Sequence, residues 1–434
     1  MGILPSRQTA ALFDEISSKR GGPAPSPGVE RDSPKRTKKP TIVIMPLEKL
    51  SSELGQAHIT AGITQDIIAA LLRHRWLSVI NVANMVSAGR FAMVEDGQVV
   101  EANADYLLTG TLRKAGDRLR INVQMTATAS REYIWSESYD GQLGDIFGVQ
   151  DEITTRIASH IDIEVGTSER QRVLRQANPR TGARDCYHLG MTHFLKSTSH
   201  DHLESQRLFA RSMEIDDQFG EGLAWWSYAS VYATFYFDAE PTAAQFERAL
   251  EAAQRAVRVD DQNADFHMQL ARVYLAQGEH GKLMRETQIA MVLNSNQAGI
   301  YCGMGDALNL DGQYAAAMAQ FEKALRLGPR HPNRWAFLSY GALTHLFAEN
   351  FVRAVDWSKQ AMTFPHCKYW AHAHRAAALG HLGEGPAARR ATAELLKKNP
   401  AFNQALARKK FYFLQQPGQL TLYLDGLAKA GVPA

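Results

Sequence analysis

Cysteine is scarce in this chain: Cys186, Cys302 and Cys367 are the only three in 434 residues, and none sits in a CxxC pair. Three thiols cannot all pair, so the composition excludes a disulfide framework and a cysteine zinc site. It suits a reducing compartment, and a cytoplasmic location is expected. No run approaches the ~20 apolar residues that a membrane helix requires, so no membrane span is expected. The opening stretch MGILPSRQTAALFDEI lacks a basic segment followed by an apolar one, the mark of a secretory leader. Charge of one sign is also lacking. The net charge of +3 is too small to call for a nucleic-acid partner.

Catalytic signatures are equally sparse. There is no HExxH, no GxSxG and no glycine-rich phosphate loop. Leu108-Thr109-Gly110-Thr111 falls inside a strand pattern, where the glycine is expected to mark a bulge. His366, His372, His374 and His381 lie close in sequence. However, His372 and His374 are two apart on a helix and face different directions, so they read as scattered helix-surface residues. No metal and no cofactor is expected.

What the chain does contain falls into four stretches. Residues 1–40 carry eight Lys/Arg against four Asp/Glu and are punctuated by Pro23, Pro25, Pro27, Pro34 and Pro40. That composition reads as a disordered basic tail, with Lys35–Lys39 as a solvated charge run. Residues 41–165 read as an α/β domain. Thr41–Met45 is a short β-branched run ended by Pro46, hence a buried strand. Thr64 is expected to cap a helix that buries Ile67, Ile68, Leu71 and Leu72. Further strands are expected at Leu77–Val82, Tyr106–Leu112, Leu119–Met125 and Tyr133–Tyr139. In Leu119–Met125 apolar residues alternate with Arg118, Arg120, Asn122 and Gln124, which predicts one dry and one wet face. An amphipathic helix over Phe147–Ile163 closes the domain. Residues 166–183 read as a linker, and 184–434 as helical throughout.

The helical part repeats. Two 34-residue units run end to end from Ala264 to His331. Counting from Ala298, Tyr301, Met304, Gly305, Leu308, Tyr314, Ala317, Phe321, Ala324 and Pro329 stand at positions 4, 7, 8, 11, 17, 20, 24, 27 and 32 of the unit. Small residues let two antiparallel helices approach, large ones fill the space between them, and the proline stops the second helix. These classes at this period resemble the tetratricopeptide repeat, which implies units that stack because none can bury its apolar face alone. Poorer copies surround the pair: Cys186–Asp217, a longer Gly220–Asp261, Pro332–Lys368 with about three extra residues near Glu349-Asn350, and Tyr369–Phe402. Residues 403–434 read as a helical cap.

The α/β stretch resembles the TolB amino-terminal-like domain. The resemblance rests on IMPLEKLS (Ile44–Ser51), AGITQDI (Ala61–Ile67), LLTGTLRKAGDRLRI (Leu107–Ile121), Ile134-Trp135 and IFGVQDEI (Ile146–Ile153). It implies a bacterial protein similar to the non-catalytic part of proteins labelled adenylate cyclases. A cyclase domain needs paired aspartates on a large α/β scaffold. The acids before Thr41 are Asp14, Glu15, Glu30 and Asp32, in a region with no strand pattern, so the chain is expected not to be an enzyme.

The fold expected is therefore an α/β N-terminal domain followed by an all-α tetratricopeptide-repeat solenoid. The expected function is a protein-interaction and regulatory scaffold holding a protein or peptide in its concave groove. In this repeat class the groove is lined by one face of each first helix. Here that face includes Asp265, Met268, Arg272, Cys302, Asp306, Asn309, Asn333, Tyr340, Trp370 and His381, a polar mixture with aromatic anchors. The alternatives are a cyclase-related signalling protein without its catalytic domain and a transcription regulator without its DNA-binding domain.

Overall fold

A computed structural model describes residues 38–50, 56–81, 92–93, 99–100, 104–142, 146–176, 182–237 and 242–434. Expectations for residues 1–37 and for residues 177–181 lie outside the described residues. Lys39–Ala434 forms one compact unit.

The strands are β1 (Thr41–Ile44), β2 (Glu48–Lys49), β3 (Ser78–Asn81), β4 (Ala92–Met93), β5 (Val99–Val100), β6 (Tyr106–Ala115), β7 (Arg118–Ala127) and β8 (Glu132–Gln142). They build a mixed sheet in the order β3-β1-β6-β7-β8, with β2 also on β6, and β4-β5 as a separate pair. The β-branched β1 is buried along its whole length because β3 and β6 flank it, both parallel to it. β6, β7 and β8 continue as an antiparallel meander. Along β7, Leu119, Ile121, Val123 and Met125 are buried while Arg118 and Arg120 are exposed, which is the alternation the sequence predicts.

Helix α1 (Gln56–Leu72) and helix α2 (Ile146–Leu174) cover this sheet, and α1 begins before the expected cap. Thr64 is inside it: its hydroxyl donates to the Thr60 carbonyl at 2.8 Å and accepts the Leu47 amide at 3.2 Å. The threonine therefore ties helix to sheet rather than ending the helix. Ile67 and Leu71 are fully buried, but Leu72 is 55% exposed because it lies one step around the helix from that face. Gly110 is not a bulge. It pairs in register with Val123, and the irregularity lies at Met125/Thr126 instead. A Cβ at Gly110 would stand 2.6 Å from the Leu47 side chain, so this glycine admits the β1–β2 connection against the sheet.

α2 runs past residue 165 and through the first half of the stretch expected as linker, to Leu174. Its far end is held by apolar burial of Val173 and by the buried Glu169, which accepts from Tyr106 Oη at 2.7 Å. Helix pairs follow: α3 (Ala183–Lys196) with α4 (Ser199–Ile215), α5 (Gly220–Tyr236) with α6 (Ala243–Val259), α7 (Ala264–Ala276) with α8 (His280–Leu293), α9 (Ala298–Leu310) with α10 (Tyr314–Leu327), α11 (Arg334–Phe347) with α12 (Phe351–Met362), and α13 (Tyr369–His381) with α14 (Gly385–Lys398). α15 (Gln404–Lys410) and α16 (Gln419–Lys429) end the array. Within the α9/α10 pair, Ala317, Phe321 and Ala324 have no exposure, and a Cβ at Gly305 would meet the Phe321 ring at 2.8 Å. The extra residues of the fifth pair do not lie at Glu349-Asn350. That turn spans 348–350, as short as its counterparts at 277–279 and 311–313; the extra residues lie in the connection 328–333, two longer than its counterpart 294–297, and in α11, one residue longer than α9.

Candidate functional site

The first helices of the pairs, α5, α7, α9, α11 and α13, present one face to the interior. At its centre Arg272 on α7 and Asp306 on α9 form an ion pair at 2.8 Å, with only 12% and 11% of each side chain exposed. The Arg272 guanidinium stands 6.0 Å from the centre of the Tyr340 ring, and the Tyr340 hydroxyl bonds the Tyr236 hydroxyl. Burial pushes the Asp306 carboxyl above its ordinary range while Arg272 opposes that rise. Burial likewise raises the Tyr228, Tyr236 and Tyr340 phenols, and pushes the Cys302 thiol up to about 12. Cys302 is thus an inert core thiol at neutral pH. Met268, also buried, packs against Gly303.

The other expected groove residues lie to either side of this layer. Asp265 accepts from Trp225 Nε1 and from Gln269 Nε2, each at 2.9 Å. Burial drives its carboxyl up to about 6, because those neutral donors only partly replace water. Asn333, Asp265 and Asp162 of α2 line two common cavities. On the opposite side, Trp370 donates from Nε1 to the Phe235 carbonyl at 2.9 Å and packs on Phe411 with ring centres 4.6 Å apart. The Asn309 side chain is buried, and its main-chain carbonyl accepts from Gln419 Nε2 at 2.8 Å. His381 stands apart: it donates to the Leu422 carbonyl at 2.8 Å and stacks on Phe351.

Sequence reasoning missed what fills the groove. The segment from Lys410 to Gln419, expected as part of a cap, runs across the ends of the first helices. Lys410 Nζ donates to the Thr234 carbonyl at 2.8 Å and the Phe237 carbonyl at 2.6 Å. Tyr412 Oη donates to the Ala276 carbonyl at 2.5 Å and Gln415 Nε2 to the Gly278 carbonyl at 2.6 Å. His280 Nε2 donates to the Phe413 carbonyl at 2.7 Å, and Phe413 packs edge-on to Phe235. The signal was there in Phe411-Tyr412-Phe413-Leu414, an aromatic run too apolar for a solvent-facing cap.

At the other mouth, α2 closes the interior. Asp162 accepts from Trp76 Nε1 at 2.8 Å and pairs with His74 Nδ1 at 2.9 Å, so it stays below the ordinary carboxylate range despite burial. Between α2 and the solenoid lie two adjoining cavities of about 160 Å³ and 200 Å³ that share Asp162, Trp225, Asp265, Gln297, His331 and Asn333 in their walls. Among the described residues, no three His, Cys, Asp or Glu side chains gather as a metal-binding set, and no helix is long and apolar enough to cross a membrane.

This architecture is a tetratricopeptide-type helix-pair array behind a small mixed α/β region. No family model matches the chain. It is 30% identical over 242 residues to a Rhizobium meliloti protein named putative adenylate cyclase 3, a match covering 55% of this chain and 40% of that protein. The chain thus spans well under half the length of the curated relative it matches. A tetratricopeptide-repeat protein of Thermus thermophilus overlays with a TM-score of 0.38 at 17% identity, over 46% of this chain and 99% of that one. TolB from Acinetobacter baumannii overlays with a TM-score of 0.19 at 13% identity, over 30% of this chain and 28% of that one. The helix-pair register itself, rather than these overlays, defines the solenoid.

Proposed function

We propose that this chain is a non-catalytic protein-interaction scaffold whose groove takes an extended partner segment. The supporting observation is the way Lys410–Gln419 already lies there. An aromatic-rich stretch crosses the first-helix ends, held by side-chain bonds to main-chain carbonyls, with Phe411 and Phe413 against Trp370 and Phe235. Grooves that hold peptides combine hydrogen bonds with buried aromatic anchors, and this segment supplies both. In this reading the segment occupies the groove until a partner replaces it, and Arg272, Asp306 and Tyr340 form the floor beneath. A photo-crosslinking amino acid at Gln277, beside the segment, tests it in cells. The reading expects a discrete adduct there and none with the crosslinker at the exposed Val292 of the outer face. Adducts at Val292 alone would contradict it.

The match to a putative adenylate cyclase favours a second reading, in which the chain is the regulatory portion of a cyclase-related signalling protein. Under the scaffold reading, purified chain with ATP and Mg²⁺ or Mn²⁺ yields no cyclic nucleotide above a blank. Product that disappears on mutating an acid of this chain would overturn it.

A further inference from the structure

The cavity between α2 and the solenoid has the makings of a small-molecule site. One wall is aromatic: Phe194, Trp225, Tyr228 and Tyr232 line it together, with Phe194 5.6 Å from Trp225, 5.7 Å from Tyr228 and 4.8 Å from Tyr232 between ring centres. The same cavity is lined by hydrogen-bond acceptors. Among the described residues, the Asp265 carboxylate accepts from two neutral side-chain donors, Trp225 and Gln269. Gln269 is 4% exposed, and having given its amide N–H to Asp265 it leaves Oε1 buried with no partner among the described residues. A buried acceptor of this kind is costly unless something donates to it. The arginine in this wall, Arg272, is already matched by Asp306. His331 is kept neutral by burial, its imidazole lowered to about 4. The volume of about 200 Å³ exceeds the ~150 Å³ at which an apolar cavity admits a benzene ring.

Two neighbouring acceptors, one of them anionic, call for a head group with at least two N–H donors and a positive charge. An aromatic wall favours a cation and a flat apolar body. We propose that this cavity binds a small primary amine or amidine carrying one ring, its cationic head on Asp265 and Gln269 Oε1 and its ring against Phe194, Trp225 and Tyr228. The ligand would bridge α2, through Asp162 and Ile163, to α5 and α7, and so stiffen the junction between the α/β region and the repeats. This inference does not rest on the partner reading of the groove.

Calorimetric titration of the whole chain with phenethylammonium chloride, 2-phenylethanol and spermidine tests the proposal. The amine should bind and raise the melting temperature. The alcohol, equal in shape but uncharged, and spermidine, charged but without a ring, should each bind at least tenfold more weakly. Asp265→Asn should weaken the amine at least tenfold, about 1.4 kcal/mol, and Gln269→Met should weaken it while leaving the alcohol unchanged. Equal binding of amine and alcohol, preference for spermidine, or no heat with millimolar amine would each overturn the proposal. The amine–alcohol–spermidine comparison uses unmodified protein, so a variant that fails to fold does not remove the test.

Discussion

A buried ion pair contributes less than its geometry suggests, since desolvation offsets attraction, but breaking one leaves an uncompensated charge. Arg272 and Asp306 are such a pair, roofed by Tyr340. Asp306→Ala should therefore cost about 3–5 kcal/mol in urea unfolding. Arg272→Met with Asp306→Leu should recover most of that loss, because the charges go together. Equal destabilisation by the single and double changes would show the pair to be outweighed by packing. Alanine at Arg272, Asp306 and Tyr340 together is accordingly expected to harm the fold. Counting repeat positions alone would place all three on an open groove face. Position nine identifies which way a side chain points but not what the chain lays over it.

Buried histidines give the acid response a sign, and they include His372 and His374, which are buried rather than on the helix surface as their sequence spacing suggests. Burial lowers His202 and His331 to about 4 and His374 to about 3, against an ordinary 6.5. The unfolded chain takes up these protons near 6.5 and the folded chain resists until about 4. Their contribution is therefore full above 6.5 and is lost as pH falls through that window. Asp265 acts in the opposite direction: its folded carboxyl sits near 6 against an ordinary 3.8, so protonation between those values favours the fold. Asp66, Glu164 and Asp306 are raised in the same sense as Asp265, but burial also lowers His160, His188, His345 and His372, so the lowered imidazoles outnumber the raised carboxylates. The melting temperature followed by circular dichroism should fall steadily from pH 6.5 to 4.5, and a flat or rising profile would refute this balance.

The elements themselves were largely legible, for a local reason. Tyr301 to Pro329 repeat a packing rule in which each residue class answers to its own helix pair, and the pair α9/α10 obeys it. The alternation in Leu119–Met125 likewise reports a face that one strand alone can reveal. What was not legible depends on distant partners. Thr64 is a good cap in isolation but is claimed by Leu47, and Gly110 looks like a bulge until Leu47 is seen against it. α2 reads as ending near Ile163 because its later turns are polar outside, whereas Tyr106 and the first repeats hold them. The repeat seam offers the matching test. Ala317→Leu or Ala324→Leu adds three heavy atoms where there is no exposure and Phe321 fills the gap. Each should lose about 1–3 kcal/mol with a drop in helix content. A neutral result would mean the seam is looser than its packing indicates.

At the scale of the molecule, the α/β region and the repeats share polar ties. Arg75 Nε reaches Asp260 at 3.0 Å, Asn296 Nδ2 donates to the Ala70 carbonyl at 3.4 Å, and Arg330 lies 3.7 Å from Glu164. With α2 continuous through the first half of 166–183, thermal unfolding of the two parts should coincide in a single transition. The central claim, though, concerns the groove and its own occupant. Removing the bonds that seat the segment, by Tyr412→Phe, Gln415→Ala and Gln419→Ala together, should leave the aromatic anchors and the repeats intact while loosening the segment. With the crosslinker at Gln277, the account predicts that this variant forms more partner adduct than the unmodified chain, in step with faster amide exchange across residues 411–419. Faster exchange with unchanged or reduced adduct would contradict it, and the segment would then be a structural strap rather than the holder of a partner's place.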